Sequence, residues 1–287
     1  MLGLREMFQG LRSHRDEAER GHGASDPAQL PVGPRAYWIS SHVHVRNTQY
    51  GCVLLDLRRD KYLGLGKNET SLLAATVNEW PTPPWECCPD ECVVDPGARD
   101  RTLCESLLDD GLLTAIPPAI ARDRRAQEMD LRVDWVSIGD ELDLPSTLTF
   151  RDIAKFLLAY AGAWTSLRFC RLERTVERVR MSRNRTRVGS AALGCPVEGD
   201  EPGAIFRMAR AVDVFRRMRT FVFAAEGRCL LHALTLTKFL GSYGLHPHWV
   251  IGISTQPWGA HSWVQWRRFL LDTTPEKMGR FLPILVV

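Results

Sequence analysis

The chain has 287 residues, of which 45% are hydrophobic and 25% are charged, and its formal net charge is +3. This is the composition of a globular protein, and the length allows two domains of ordinary size, each with its own core. A net charge this small excludes any argument for nucleic-acid binding from charge alone.

The beginning of the chain lacks the apolar core of a secretory signal, because Arg5 and Glu6 interrupt the apolar start. No uncharged apolar run approaches the length of a membrane-spanning helix. We therefore expect a soluble, cytoplasmic protein with no membrane partner, whose 8 cysteines are mainly thiols.

The first third of the chain predicts a flexible tail followed by a small domain. Residues 1–35 are polar and contain several prolines, which is typical of a tail. Short apolar runs at 42–45, 52–57 and 62–65 then predict three strands, with the charged residues 58–61 as a turn.

Two helices are predicted after these strands. The first is N-capped by Asn68 and ends before Trp80 and Pro81, and the second contains Leu103 and Leu107 and ends near Gly111. Strands with helices behind them in a short segment indicate a winged-helix-like domain at 36–118.

The rest of the chain is interpreted as a linker at 119–147 and a helical and stranded domain at 148–287. Apolar residues at helical spacing predict a helix from about 153 that continues into an arginine-rich stretch, a loop at 184–202, and a helix at 205–218. Three strands are predicted at 249–253, 261–266 and 269–272, so the fold class is α+β.

A cysteine begins the next predicted helix, at Cys229, which follows Gly227 and precedes an apolar run that ends at Tyr243 and Gly244. The amides and the dipole at a helix N-terminus stabilise a thiolate, which is the nucleophilic form of cysteine. The apolar positions surround this helix, which predicts that it is central in its domain.

A histidine and an aspartate follow on the predicted strands, at His261 and Asp272. With Arg267 and Arg268 as a two-residue turn, antiparallel pairing sets Trp263 opposite Asp272 and brings the two side chains to one face, about 7 Å apart at the β-carbons. A cysteine, a histidine base and an orienting carboxylate are the groups that nucleophilic catalysis needs.

These motifs resemble the transglutaminase-like cysteine protease of lasso peptide biosynthesis. The residues that carry the resemblance are Cys229-Leu230, the run Val250 to Ile253, the run Ala260 to Val264, Asp272, and the run Phe281 to Leu285. Ser262 and Gln265 depart from the alanine and glutamate usual in that family, and the family commonly has a basic residue near His232.

Residues 35–118 resemble the winged-helix-like domain that binds leader peptides in ribosomally made peptide pathways. Together the two parts resemble the fused lasso peptide B protein, with a papain-type, transglutaminase-like α+β protease domain. The resemblance implies a leader peptidase with Cys229, His261 and Asp272 as catalytic residues and no cofactor. Its partners would be a precursor peptide and an ATP-dependent lasso cyclase.

The resemblance also implies where the leader binds. The leader would add a strand to the edge near Lys61 to Leu65 and place its apolar side chains against the second helix. The residues implied are Lys61, Tyr62, Leu63, Leu65, Leu103 and Leu107.

Several alternatives remain open at this stage. His232, one turn after Cys229, could be a second functional imidazole or a packing residue. The cysteines at 87, 88, 92 and 104 could suggest zinc, but their spacing does not match paired CxxC ligands, and no metal is expected. The arginines between 168 and 187 could be a solvated face or could dock an acidic leader or the cyclase.

The alternative functions are another acyl-transfer enzyme of the same fold, such as a transglutaminase or amide hydrolase, and a non-catalytic protein that binds peptide or DNA. Glu105, Asp109 and Asp110 lie in the helix that would enter DNA, which argues against nucleic acid as a partner.

Overall fold

The structure is a computed structural model that describes residues 37–85, 99–118, 126, 135–138, 147–192, 203–222 and 228–287. The tail predicted at 1–35 and the cysteines at 87, 88 and 92 lie outside these residues. Among the described helices, none is both long and apolar enough to cross a lipid bilayer.

Short strands dominate the first described region, and the three that the sequence predicts pair as an antiparallel sheet in the order β2-β3-β4. A second small sheet, which the sequence does not predict, has the order β5-β1-β6. The strands are β1 (Tyr37–Ile39), β2 (Val43–Thr48), β3 (Gly51–Asp56), β4 (Lys61–Leu65), β5 (Val77–Asn78) and β6 (Leu113–Thr114).

Two helices pack on these sheets, α1 (Lys67–Thr76) and α2 (Arg99–Asp109). The prediction that Asn68 caps α1 is wrong, because β4 runs almost directly into the helix and Gly66 is the N-cap. The Thr70 hydroxyl then donates to the Gly66 carbonyl. Gly111, with a φ of 69°, ends the segment after α2 in the left-handed conformation that glycine favours.

The second described region combines five helices with a five-stranded sheet of order β11-β8-β9-β10-β7. The helices are α3 (Phe150–Phe169), α4 (Leu172–Ala192), α5 (Ala204–Arg219), α6 (Cys229–Gly241) and α7 (Pro275–Met278). The strands are β7 (Val136–Ser137), β8 (His248–Thr255), β9 (Trp258–Trp266), β10 (Phe269–Leu270) and β11 (Leu282–Val286).

The ends of α3 and α6 follow from local sequence. Thr149 caps α3, with its hydroxyl accepting from the Asp152 amide and the Asp152 carboxylate accepting from the Thr149 amide. After α6, Gly244 has a φ of 74°, as predicted for a left-handed glycine. The helix itself is central, with eight buried side chains between Leu231 and Leu240.

The structure differs from the sequence prediction at three points in this region. The loop predicted at 184–202 is wrong in its first part, because α4 continues to Ala192. The strand predicted at 269–272 ends at Leu270. β7 pairs in parallel with β10, so part of the segment interpreted as a linker belongs to the second sheet.

One hydrophobic cluster contains residues of both regions. Val53, Leu55 and Leu57 belong to the cluster formed by the helices of the second region. The Glu173 amide donates to the Leu57 carbonyl, and the Arg58 and Glu173 side chains form an ion pair at 3.1 Å. By contact, residues 35–287 form one compact unit.

Candidate active site

Cys229 is the first residue of α6, and Arg228 before it supplies no side-chain cap. The first amides of a helix have no acceptor within the helix, so the N-terminus of α6 offers free donors and the positive end of a dipole. Cys229 is a free cysteine with intermediate exposure. The thiol is therefore accessible and lies in surroundings that favour an anion.

Tyr62 on β4, which the sequence analysis assigned to leader binding, interacts electrostatically with this thiol. Its ring meets Trp258 edge to face, with centroids 5.9 Å apart. Burial raises the pKa of Tyr62, and the charges of Asp60 and Cys229 add to this effect. The phenol thus stays neutral and links the first sheet to the candidate nucleophile.

Asp272 is held by the backbone of β9. The predicted two-residue turn at Arg267 and Arg268 is present, with Phe269 opposite Trp266 and Leu270 opposite Gln265. β10 ends there, and the Asp272 carboxylate continues the pairing by accepting from the Val264 amide at 3.0 Å. Its side chain is only 4% exposed. A carboxylate fixed by a backbone donor can orient a neighbouring imidazole.

His232 is the imidazole in contact with this carboxylate. Its Nδ1 lies 3.4 Å from Asp272 Oδ2, and its ring lies edge to face against Phe215 at 5.2 Å. The sequence analysis left a functional role and a packing role open for His232, and the structure brings it into contact with Asp272. The available signal was its spacing, since residues three apart share one face of a helix.

His261 lies in a more apolar part of the site. Its ring is near-parallel to Trp263 at 6.5 Å and tilted against Phe281 at 5.3 Å. Burial lowers the pKa of His261. The Asp272 charge opposes this shift, while Arg280, Lys277 and His232 add to it. The ring is therefore neutral near pH 7, as a general base must be.

Strand alternation separates His261 from the helix that carries the thiol. Val264 of β9 packs in the core shared with α6, whereas Trp263 packs with Phe281 on the other side. His261 lies on the Trp263 side. Within the described residues, no hydrogen bond joins the Cys229 thiol to the His261 ring. The structure thus brings His232 into contact with Asp272, while His261 interacts with both electrostatically, and the pairing of Cys229 with His261 remains a prediction.

The two departures from the family pattern have structural roles. The Ser262 hydroxyl accepts from the Trp249 indole at 2.7 Å and donates to the Val250 carbonyl at 3.2 Å. The Gln265 amide donates to the Arg267 carbonyl at 2.9 Å and so closes the turn before Asp272. Both residues stabilise the hairpin that carries the site.

The β4 residues assigned to leader binding lie on both faces of the strand, and the other two, Leu103 and Leu107, belong to α2. Leu65 packs with Leu103 and the buried Leu107 in the core of the first region, while Tyr62 faces the second region. Leu63 is 38% exposed. Lys61, Tyr62 and Leu63 also line a cavity of about 350 Å³ that extends to the end of α2.

No group of His, Cys, Asp or Glu side chains suited to a metal ion occurs among the residues that the structure describes. Cys104, the one described member of the cysteine set considered for zinc, is buried in the first core. Its nearest polar neighbour is the Thr76 hydroxyl at 3.8 Å.

Residues 156–286 match the family model of the transglutaminase-like superfamily. The C-terminal half of the chain therefore contains a transglutaminase-like domain, a class that typically comprises cysteine hydrolases and acyltransferases. The match includes Cys229, His232, His261 and Asp272. The comparisons with curated proteins and with solved structures gave no match.

Proposed function

We propose that this protein is a leader peptidase of lasso peptide biosynthesis, which binds a ribosomally made precursor through its leader and cleaves the amide between leader and core. The observation that supports it most directly is the arrangement at Asp272. The Asp272 carboxylate, held by the Val264 amide, contacts His232 and interacts electrostatically with His261, in a transglutaminase-like domain whose central helix begins with a cysteine.

In the proposed mechanism, the Cys229 sulfur attacks the carbonyl of the last leader residue and His261 accepts the thiol proton. The tetrahedral intermediate collapses to a thioester as His261 returns this proton to the departing core amine. Water, deprotonated by His261, then hydrolyses the thioester and releases the leader acid and the thiol. Asp272 holds the imidazole in one tautomer and stabilises its cation.

The amide at the start of α6 is the proposed oxyanion donor. The N–H of Cys229 has no acceptor within the helix, since only residues one turn further along reach an intrahelical carbonyl. The His232 amide, for example, donates to the Arg228 carbonyl at 2.9 Å. One such donor contributes about 3 kcal/mol to transition-state stabilisation in other hydrolases.

The leader would bind at the edge formed by β4. In the sheet order β2-β3-β4 this strand is last, so within the described residues its outer edge has no partner strand. Leu63 and Lys61 are exposed on it, next to the cavity that reaches α2. An added leader strand would gain ladder hydrogen bonds and place apolar side chains in this groove.

The position of Tyr62 supports coupling between leader binding and cleavage. This residue belongs to β4 and interacts electrostatically with Cys229, which connects the proposed leader-binding strand to the nucleophile. Tethering raises the local concentration of the scissile bond, and a protease with modest selectivity thereby gains specificity. The freed core N-terminus would then pass to an ATP-dependent cyclase.

The test is mass spectrometry of a lasso precursor from the same gene cluster, incubated with the purified protein. We expect separate leader and core products, no cleavage by Cys229→Ala, and undiminished leader binding by that variant in fluorescence anisotropy. Cleavage by Cys229→Ala would refute the assigned nucleophile. Equal turnover of a precursor that keeps only the last few leader residues before the cleaved bond would refute the tethering.

The second candidate is another acyl transfer on the same domain, because the domain match alone fits both. It would be favoured if the precursor stays intact while a simple acyl donor and amine are joined with release of the leaving group. The same Cys229→Ala control applies, since both chemistries require the thiol.

A further inference from the structure

A second concave site lies at the far end of α6, on the side of the helix that faces α4. It encloses about 160 Å³, roughly the volume of five water molecules in the liquid. The residues that line it include Arg178, Arg183, Thr237, Lys238, Gly241 and His246. Nothing in the proposed chemistry uses this cavity.

Lys238 is the most informative of these residues. Its ammonium group forms no hydrogen bond or ion pair with the residues that the structure describes, although the side chain is half-buried. Its stem lies across α3, so that a β-carbon at Gly162 would be 3.9 Å from its Cδ. Burial lowers the pKa of Lys238, and the nearby charge of Arg178 lowers it further. The nearby Cys170 opposes this shift.

The two arginines are fixed beside this ammonium. Arg183 contacts the His248 ring at 2.7 Å and the Val287 carbonyl at 3.4 Å. Arg178 contacts the Cys170 sulfur at 3.3 Å. None of the described residues that line the cavity is acidic. Arg178 and Lys238 thus bring two cations to a cavity whose described side chains include no carboxylate, while Arg183 is engaged by His248 and Val287.

Capping of α6 does not account for these charges. The last carbonyls of the helix already have backbone donors, since the Ser242 amide bonds Lys238 and Phe239 and the Leu245 amide bonds Leu240. Cations near a helix C-terminus often satisfy such carbonyls, but here the backbone does so itself. The last carbonyls of α6 therefore do not engage the Lys238 ammonium group.

We propose that this cavity binds an oxyanion group, a phosphate or a carboxylate, between Lys238 and Arg178. Guanidinium and ammonium donors around a small concavity are the arrangement that such groups require. The site lies about nine residues along α6 from Cys229, or about 13 Å. It is thus separate from the candidate active site and independent of the proposed function.

The test is isothermal titration calorimetry of the full chain with inorganic phosphate and, separately, with acetate, at constant ionic strength set by chloride. We expect saturable binding of at least one of the two anions, and the anion that binds shows whether the cavity takes a phosphate or a carboxylate group. Lys238→Met keeps the packed stem and Arg178→Gln changes an exposed side chain, and each should weaken binding about tenfold or more. Arg151→Gln, an exposed charge outside the cavity, should bind like the unmodified protein.

Two results would overturn the proposal. One is the absence of saturable binding for both anions in the folded protein. The other is equal affinity in Lys238→Met and Arg178→Gln, both checked for folding by circular dichroism, because binding would then occur elsewhere. Neither result bears on cleavage by Cys229, which is measured separately.

Discussion

Asp272 interacts with two imidazoles, which raises the question of which histidine acts as the base. Its Oδ2 contacts His232 at 3.4 Å, whereas its interaction with His261 is electrostatic. The lowered pKa favours His261 as the base, and the contact with the carboxylate favours His232.

Substitution of each histidine separates the two roles. We expect His261→Ala to lower kcat/KM by at least about 10²-fold, as loss of a general base does. His232→Asn keeps a nitrogen near Asp272 and should lower kcat/KM by less than about tenfold. Steady-state cleavage of the precursor measures both. If the asparagine variant loses as much as His261→Ala, the base is His232.

The acid limb of the pH profile tests the surroundings of His261. Arg280 and Lys277 both lower its pKa, so Lys277→Gln or Arg280→Gln should raise that pKa and shift the acid limb of kcat/KM to higher pH. Asp272→Asn should shift it to lower pH, because the carboxylate raises the pKa. Arg174→Gln changes an exposed arginine of α4 and is the matched control. It should leave the pH of the acid limb unchanged.

For single residues, the sequence predicted the local position of the candidate site residues better than their contacts. The helix-start position of Cys229 and the turn before Asp272 follow from local patterns. The contact of His232 with Asp272 depends on how α6 lies against the hairpin, which local sequence does not encode.

The β8-β9 hairpin is the element that positions His261. The Trp263 indole packs closely against Gly252, where an added β-carbon would lie 2.6 Å from the indole Cζ3. Gly252 is therefore required because the indole leaves no room for a side chain there. The same indole lies beside the His261 ring.

Gly252→Ala should consequently destabilise the protein by about 1–3 kcal/mol and lower activity, because the buried Trp263 or the backbone must move. Gly259→Ala on β9 is the control, since its β-carbon would meet only the Phe281 ring at 4.0 Å. Urea denaturation and precursor cleavage give the two readouts. Equal stability of the two variants would show that Trp263 is not constrained by Gly252.

Most long elements were predictable, while short strands and helix ends were not. The meander from β2 to β4 and the helices α5 and α6 have strong periodicity and match the prediction. β7 and β10 have two residues each, which is too short for a periodic pattern. Their strand conformation depends on pairing between β7 and β10, which are far apart along the chain. α4 continues to Ala192 through a polar sequence in which periodicity gives little signal.

For the whole molecule, the decisive feature is the shared core of the two regions. Leu55 and Leu57 of the first region pack against helices of the second, and each apolar side chain of this size contributes about 1.5–3 kcal/mol on burial. A sequence read in segments predicts separate domains but contains no sign of this contact.

Residues 148–287 expressed alone should therefore lack a cooperative thermal transition, because they lose the side chains that cover their core. Circular dichroism on heating measures this. Leu63→Lys in the full chain is the control, since Leu63 is partly exposed on β4. It should keep the transition temperature within about 2 °C and weaken leader binding. A sharp transition in the isolated segment would contradict the shared core.

The central claim is that the thiol of Cys229 accepts an acyl group with help from a neighbouring imidazole. It is tested most directly by incubating the protein with p-nitrophenyl acetate and locating the acetyl group by peptide mass spectrometry. We predict a burst of about one nitrophenolate per chain, with the acetyl group on Cys229 and no burst in Cys229→Ala. Acetylation of other cysteines at the same rate, or an unchanged burst in Cys229→Ala, would contradict the account.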